Sequence, residues 1–220
     1  MFGTYRTLLA LAVVVHHLLI FPIIGHYAVQ GFFVLSGYLM TLIMHKTYHY
    51  RPKGMVSFAF NRFLRLFPAY WMVILASLLL FYMVGEQNAI EYRNSMYFPD
   101  SVGLWFQNFS MIYWEFFPNE VIPRFSPSTW ALTIELFFYF LIALGVSRNA
   151  FLTRVWLLLS LIYMVFTHVF EWGYEYRYFA IISGTLPFSL GSIIYHHYDS
   201  LIKMVPFSEC RFFGIILITG

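Results

Sequence analysis

The sequence predicts an all-α protein, a polytopic bundle of transmembrane helices, and two observations carry that prediction. Of the 220 residues, 60% are hydrophobic and only 10% are charged, whereas roughly a quarter of the residues in a soluble domain are charged. Apolar stretches close to the ~20 residues that a helix needs to cross a bilayer recur along the chain. Six of them are predicted spans, and a seventh begins near the C-terminus: they cover 7–24, 27–44, 66–84, 129–146, 155–170 and 178–195.

The first two apolar stretches are predicted to form a tight antiparallel hairpin. Only Gly25 and His26 separate them. A continuous helix over 7–44 would be about 57 Å long, well beyond the hydrocarbon thickness of about 30 Å. The chain must therefore turn, and Pro22 with Gly25 is the expected place, because proline interrupts a helix.

The long connection between the third and fourth stretches contains a further apolar segment, 101–117. Its Trp105 and Trp114 favour an interfacial or re-entrant helix, because tryptophan concentrates at the boundary between membrane and water. We therefore expect this segment not to cross the membrane. The fourth, fifth and sixth stretches then follow as ordinary spans.

Lysine and arginine are unevenly distributed between the connecting segments, and their distribution predicts the orientation of the chain. With a cytoplasmic N-terminus, ten of the 13 basic residues fall inside and three outside, a strong positive-inside bias. If 101–117 crossed, the count would be eight against five. The ten inside residues are Arg6, Lys46, Arg51, Lys53, Arg62, Arg65, Arg148, Arg154, Lys203 and Arg211; the three outside are Arg93, Arg124 and Arg177.

The last segment, RFFGIILITG, offers nine residues after Arg211, far short of the ~20 that a span needs. We therefore expect a single membrane-embedded domain over 1–220 that is incomplete at its C-terminus. One cysteine, Cys210, excludes an intramolecular disulfide and fits no metal-site spacing, so no metal is predicted. The net charge of +3 is too small to indicate nucleic acid as a partner.

Four ionisable side chains lie inside the predicted spans, where each is costly and is therefore a candidate functional group: His16, His17, Glu135 and His168. His16 and His17 project about 100° apart on a helix, so only one of them is expected to face a site. Glu135 is the only acidic residue in a predicted span. It either makes a packing hydrogen bond or positions and polarises a histidine, whereas His168, near a span end, is expected to be structural.

Two further groups of residues are candidates for anion binding or for close helix packing. Arg62 and Arg65 are three residues apart and share a helical face, where they either anchor the helix or bind an anionic group bidentately. Gly31, Ser36 and Gly37 lie among bulky residues and are expected to permit close helix packing. Ser36 is a weak candidate nucleophile, because the sequence fixes no partner for it.

Four motifs, in order along the chain, resemble those of the acyltransferase 3 family of integral membrane acyltransferases. Arg6 followed by ten residues and His17 is similar to the family's Arg-x10-His element, and AVQGFFVLSGYLM to its FFxxSG motif. FAFNRFLRLFPAYW resembles the RxxR-x-x-P element, and STWALTIELFFYF the W-[ST]-L-x-x-E motif, with Ala131 at the small hydroxyl position. LPFSLGSIIY is a weaker match in the sixth span.

The resemblance implies a function and a set of site residues. It implies an O-acyltransferase that moves an acyl group, with acetyl-CoA the expected donor among acyl-CoAs, to a hydroxyl of a cell-envelope or exported glycan. His17 would be catalytic with Arg6, Glu135 would support the site, and Arg62 with Arg65 would bind the donor. The bacterial inner membrane is the implied location.

The chain departs from the family in two respects. Gln30 and Gly31 stand where many members carry an acidic residue before the two phenylalanines. The family also commonly has about ten spans, more than are predicted here.

Two alternatives stay open beside an acyltransferase. A proton-coupled transporter or exporter would use His17, Glu135 and His168 as a proton relay. An inactive fragment of an acyltransferase would lack the helices that complete its donor site.

Overall fold

The computed structural model describes residues 2–19, 24–113, 116 and 122–204, and these residues form helices and turns without a strand. The predicted all-α class is confirmed. The helices are α1 (Phe2–Leu19), α2 (Ile24–Ile43), α3 (Pro52–Val84), α4 (Glu86–Tyr92), α5 (Val102–Ser110), α6 (Trp130–Leu144), α7 (Ala150–Val169), α8 (Tyr174–Tyr178), α9 (Thr185–His196) and α10 (Tyr198–Met204).

Several helices are long and apolar enough to lie in a membrane. In the described part of the chain, four segments reach the length and hydropathy of a span: Ile24–Tyr48, Pro52–Val84, Pro127–Leu144 and Ala150–Val169. They overlap the second to fifth predicted spans, and α1 contributes a shorter apolar helix. A helical membrane bundle is thereby confirmed, while the count of six spans stays a prediction and the start of the seventh lies outside the described residues.

The third predicted span is part of a longer helix. It was expected to begin at residue 66, but α3 begins at Pro52 and runs for 33 residues, about 50 Å. Pro52 stands in the first turn, where its missing N–H costs nothing. Arg62 and Arg65 therefore lie within the helix rather than before it. Because they are three residues apart in one helix, their side chains leave the same face of α3.

The sixth predicted span is not one continuous helix. The segment 178–195 passes from α8 through a 3₁₀ turn, Ile181–Gly184, into α9. Gly184 in this turn packs against α6 so closely that a Cβ would lie 2.4 Å from the Ile134 side chain and 2.6 Å from that of Phe138. At 12 residues, α9 is about 18 Å long, less than the thickness of the hydrocarbon.

The segment 101–117 contains one short helix, as an interfacial segment would. At nine residues, α5 is about 14 Å long, too short to cross a bilayer. Trp105 stacks on Phe109 and packs against Phe125, with ring centroids 6.0 and 5.3 Å away. Trp114 lies outside the described residues.

The first two helices form the predicted antiparallel hairpin. Near the middle of α1, Leu9 lies against Gly31 of α2, where a Cβ would be 3.0 Å from the leucine. At the other end of α1, the His16 and His26 rings lie 5.3 Å apart. From Leu9 to His16 the chain moves forward along α1, while their contacts move back along α2 from Gly31 to His26. The two helices therefore run in opposite directions. Pro22 lies outside the described residues.

The core of the bundle is the contact between α2 and α9. A Cβ at Gly37 would lie 2.2 Å from the Phe188 carbonyl oxygen, and one at Gly191 would lie 1.9 Å from that of Val34. Both helices therefore approach backbone to backbone, and the expected packing role of Gly37 is confirmed. Phe188 stacks on Phe33 and on Phe138 of α6, which fixes α6 against this pair.

Candidate functional site

A polar pocket of about 220 Å³ lies where four helices converge. Each helix contributes at least one polar side chain, and apolar residues of α2 and α3 complete the wall. The polar residues are Arg6 of α1, Ser36 of α2, Arg62 and Arg65 of α3, and Glu135 and Tyr139 of α6. The pocket thus brings together four of the five predicted site residues, from segments far apart in sequence.

The single carboxyl group of the pocket is held by two hydroxyl groups. Ser36 donates a hydrogen bond from Oγ to Glu135 Oε1 at 2.6 Å. Tyr139, one helical turn after Glu135, places its hydroxyl beside the same carboxyl group. Ser36 and Tyr139 are buried, whereas Glu135 is only partly covered. Hydroxyls rather than a histidine are the hydrogen-bond partners of Glu135 in the described part of the chain.

The three arginines differ in how firmly they are held. Arg62 is half-buried, with its guanidinium 5.7 Å from the centre of the Phe58 ring and Nη1 3.7 Å from the Met40 sulfur. Its Nε is buried and has no hydrogen-bond partner within the described ranges. Arg6 is half-buried and Arg65 is exposed. Both act on Glu135 through their charge.

Three cationic groups against one carboxyl leave the pocket an excess of positive charge. Guanidinium groups present several N–H donors in a fixed plane, which suits the oxygens of phosphates and carboxylates. The buried Nε of Arg62 adds a donor that lacks an acceptor among the described residues. The arrangement can therefore bind an anionic group at this end of the bundle.

His17 lies apart from the pocket. It is exposed in the last described turn of α1, 11 residues and about 16 Å of helical rise from Arg6. Its ring lies 5.1 Å from that of His16, which in turn contacts His26 of α2. His26 also packs on Tyr178, with ring centroids 4.5 Å apart. These rings form a second cluster, distinct from the polar pocket.

Three residues near these two clusters did not figure among the predicted site residues: Ser36, Tyr139 and His26. The sequence could have indicated Tyr139, because a residue four positions after Glu135 lies on the same face of a helix. For Ser36 the missing information was its partner, which lies 99 residues away in sequence. His26 was interpreted only as part of the connection between the first two spans.

His168 has a local role. It is exposed near the end of α7, and its Nδ1 lies 2.8 Å from the carbonyl oxygen of Met164 in the same helix. No hydrogen bond joins it to Glu135 or His17 in the described residues. The three residues of the alternative proton relay therefore lie in separate surroundings.

An apolar groove of about 700 Å³ adjoins the pocket between α3 and α6. Arg62 and Tyr139 line both cavities, and Arg62 is the only charged residue among the described residues that form the wall of the groove. Within the described ranges no group of three or more His, Cys, Asp or Glu side chains could hold a metal ion.

Comparison with known proteins adds one finding. A family model described as "Acyltransferase domain" matches residues 4–220, nearly the whole chain. Neither the curated proteins nor the solved structures contain a match to this chain.

Proposed function

We infer that this chain, which belongs to the acyltransferase 3 family and is a membrane acyltransferase, takes its acyl group from acyl-CoA and transfers it to a glycan hydroxyl. Acetyl-CoA is the proposed donor, and a cell-envelope or exported glycan is the proposed acceptor. The observation that carries the proposal is the convergence of Arg6, Arg62 and Arg65 in one pocket. Coenzyme A carries phosphates, which guanidinium groups bind bidentately.

The separation of the two clusters suits an extended donor. With its phosphates at the arginines, the donor's thioester would lie toward His17, about 16 Å along α1. The acceptor would approach His17 from the other end of the bundle, where the exposed ring is accessible. With the N-terminus in the cytoplasm of a bacterial inner membrane, the donor would enter from inside.

The proposed reaction uses His17 as a general base. The imidazole takes the proton of the acceptor hydroxyl while its oxygen attacks the thioester carbonyl carbon. The carbon–sulfur bond then breaks, the new ester remains on the acceptor, and the leaving thiolate takes the proton back from the imidazolium. Products are the acylated glycan and free CoA thiol, and the histidine ends as it began.

The proposal is tested by following thiol release from acetyl-CoA in proteoliposomes that contain the full chain and a glycan acceptor. General-base catalysis contributes about 10²- to 10⁴-fold, so we expect His17→Ala to lower the rate of acyl transfer by at least about 100-fold. His168→Ala is the matched control, since that imidazole is exposed and bonds a carbonyl of its own helix. Undiminished transfer by His17→Ala would rule the assignment out.

The same assay separates the alternatives. A proton-coupled transporter would move substrate along a pH gradient without consuming thioester. An inactive fragment would release no thiol from acetyl-CoA under any condition, and that result would overturn the proposal.

A further inference from the structure

The polar pocket places a carboxyl group beside three guanidinium groups, and yet the hydrogen bonds of Glu135 go to hydroxyl groups. Arg6 and Arg65 are near enough to act on Glu135 electrostatically. The carboxyl group instead accepts a hydrogen bond from Ser36, and the Tyr139 hydroxyl lies beside it on the pocket wall. A carboxylate free to move beside guanidinium groups would form bidentate pairs with them.

We infer that Ser36 and Tyr139 are positioning residues for the donor pocket: they hold the Glu135 carboxyl group on the α2–α6 wall and so keep the arginines open to an anionic ligand. We call these three residues the carboxyl clamp. The inference deepens the proposed function and rests on it where the ligand is acyl-CoA.

The two hydroxyl groups are well anchored for this task, because each belongs to the rigid core. Tyr139 is 7% exposed, and its ring packs against Phe58 and Phe188. Ser36 is 5% exposed and precedes Gly37, whose backbone lies against the Phe188 carbonyl. A site is most precise when its supporting residues are locked by packing in this way.

Glu135 still serves the pocket in its clamped position. Three guanidinium groups in one cavity repel one another, and a nearby carboxyl group reduces that repulsion. Because the Ser36 hydroxyl holds the carboxyl group on the α2–α6 wall, that group contributes charge without occupying the N–H donors that a phosphate needs.

The test is a double-mutant cycle on ligand affinity, measured with the full chain in detergent or nanodiscs. Tyr139→Phe and Ser36→Ala each remove one hydroxyl group and leave a similar shape. Two probes are used, CoA and inorganic pyrophosphate. We expect each substitution to weaken binding of either probe about tenfold, the size of one misplaced hydrogen-bonded group. KM for acyl-CoA should rise in parallel, with kcat at saturating donor nearly unchanged.

The decisive variant is Glu135→Gln, because an amide cannot form an ion pair. In that background we expect Tyr139→Phe and Ser36→Ala to cause no further loss of affinity, since each acts only through the carboxyl group. Losses that add to that of Glu135→Gln would overturn the inference, because independent effects are additive. Unchanged affinity in both single variants would also overturn it.

Matched controls separate the clamp from a general loss of folding. Tyr163→Phe removes a hydroxyl group that bonds the Tyr176 carbonyl, and Ser189→Ala removes one that bonds Ser160, both away from the pocket. Neither should change affinity for the probes. If the parent chain binds pyrophosphate but not CoA, the proposed donor is wrong. The double-mutant cycle on pyrophosphate affinity then still tests whether the carboxyl clamp exists. If it binds neither, both proposals fail.

Discussion

Gly191 shows how much a single residue decides in this bundle. A Cβ there would lie 1.9 Å from the Val34 carbonyl oxygen and 2.6 Å from the Tyr38 nitrogen. Because these are backbone atoms of α2, no side-chain rotation can relieve the overlap. We expect Gly191→Ala to force α2 and α9 apart and to lower the free energy of unfolding by at least about 1–3 kcal/mol, the usual cost of overpacking.

The measurement for Gly191→Ala is thermal unfolding in detergent. Gly103→Ala is the control, because Gly103 lies in α5 and a Cβ added there would meet no described atom within 4 Å. Alanine in a helix is favoured over glycine by about 1 kcal/mol, so Gly103→Ala should be neutral or stabilising. Equal melting temperatures for the two variants would contradict the close approach at Gly191.

For single residues, the sequence could predict candidates from local spacing. It could not predict which residues, distant in sequence, come into contact when the chain folds. Arg62 and Arg65 were predicted from their three-residue spacing, and the structure does place both in one pocket. Glu135 was singled out because a carboxyl group in a span is costly. Its hydrogen bond with Ser36 depends on how α2 packs against α6, and no local pattern encodes that pairing.

Among the elements, the C-terminal end of α9 is joined to the loop after α6 by a contact of His196. Its Nε2 lies 3.0 Å from the Ser147 carbonyl oxygen, so the neutral ring donates there. Burial lowers the pKa of His196, and His45, His197 and Arg154 lower it further, while the Ser147 carbonyl acts in the opposite direction. With its folded pKa below the unfolded value of 6.5, the ring resists protonation in the fold.

The sign of the resulting pH dependence follows. The unfolded chain binds the proton more readily, so the contribution of His196 to stability is fully present above about pH 6.5 and is lost as the pH falls below it. We expect the parent chain to lose more thermal stability than His196→Gln between about pH 7.5 and 5.5. Glutamine can still donate to the carbonyl but does not titrate. An equal loss in both proteins would contradict this prediction.

Element boundaries were predictable where apolar length decides them and not where packing does. The second, fourth and fifth predicted spans agree with helices to within a few residues, or five at the start of the fifth. The sixth was predicted as continuous because 178–195 contains no charged residue and is mostly apolar. Its break before α9 arises from Gly184 packing against Ile134 and Phe138, a tertiary contact that hydropathy does not report.

For the whole molecule, the structure shows which basic residues share an end of the bundle. Arg6, Arg62 and Arg65 meet in the polar pocket. His45, beside Lys46, lies 2.9 Å from the carbonyl oxygen of Arg148. Arg93, in contrast, follows α4, beyond the far end of the 33-residue α3. The orientation expected from the positive-inside rule stays a prediction.

The orientation is testable with single cysteines, because α3 separates Thr47 from Tyr92 along the chain. Cys210 is the only cysteine, so Cys210→Ser provides a background free of thiols. Thr47→Cys and Tyr92→Cys then place one thiol at an exposed position near each end. With a cytoplasmic N-terminus, a membrane-impermeant maleimide should label Tyr92→Cys in intact bacterial cells and Thr47→Cys only after permeabilisation. The reverse pattern would invert the topology and place the arginine pocket on the side away from cytoplasmic CoA, so the proposed route of the donor would fail with it.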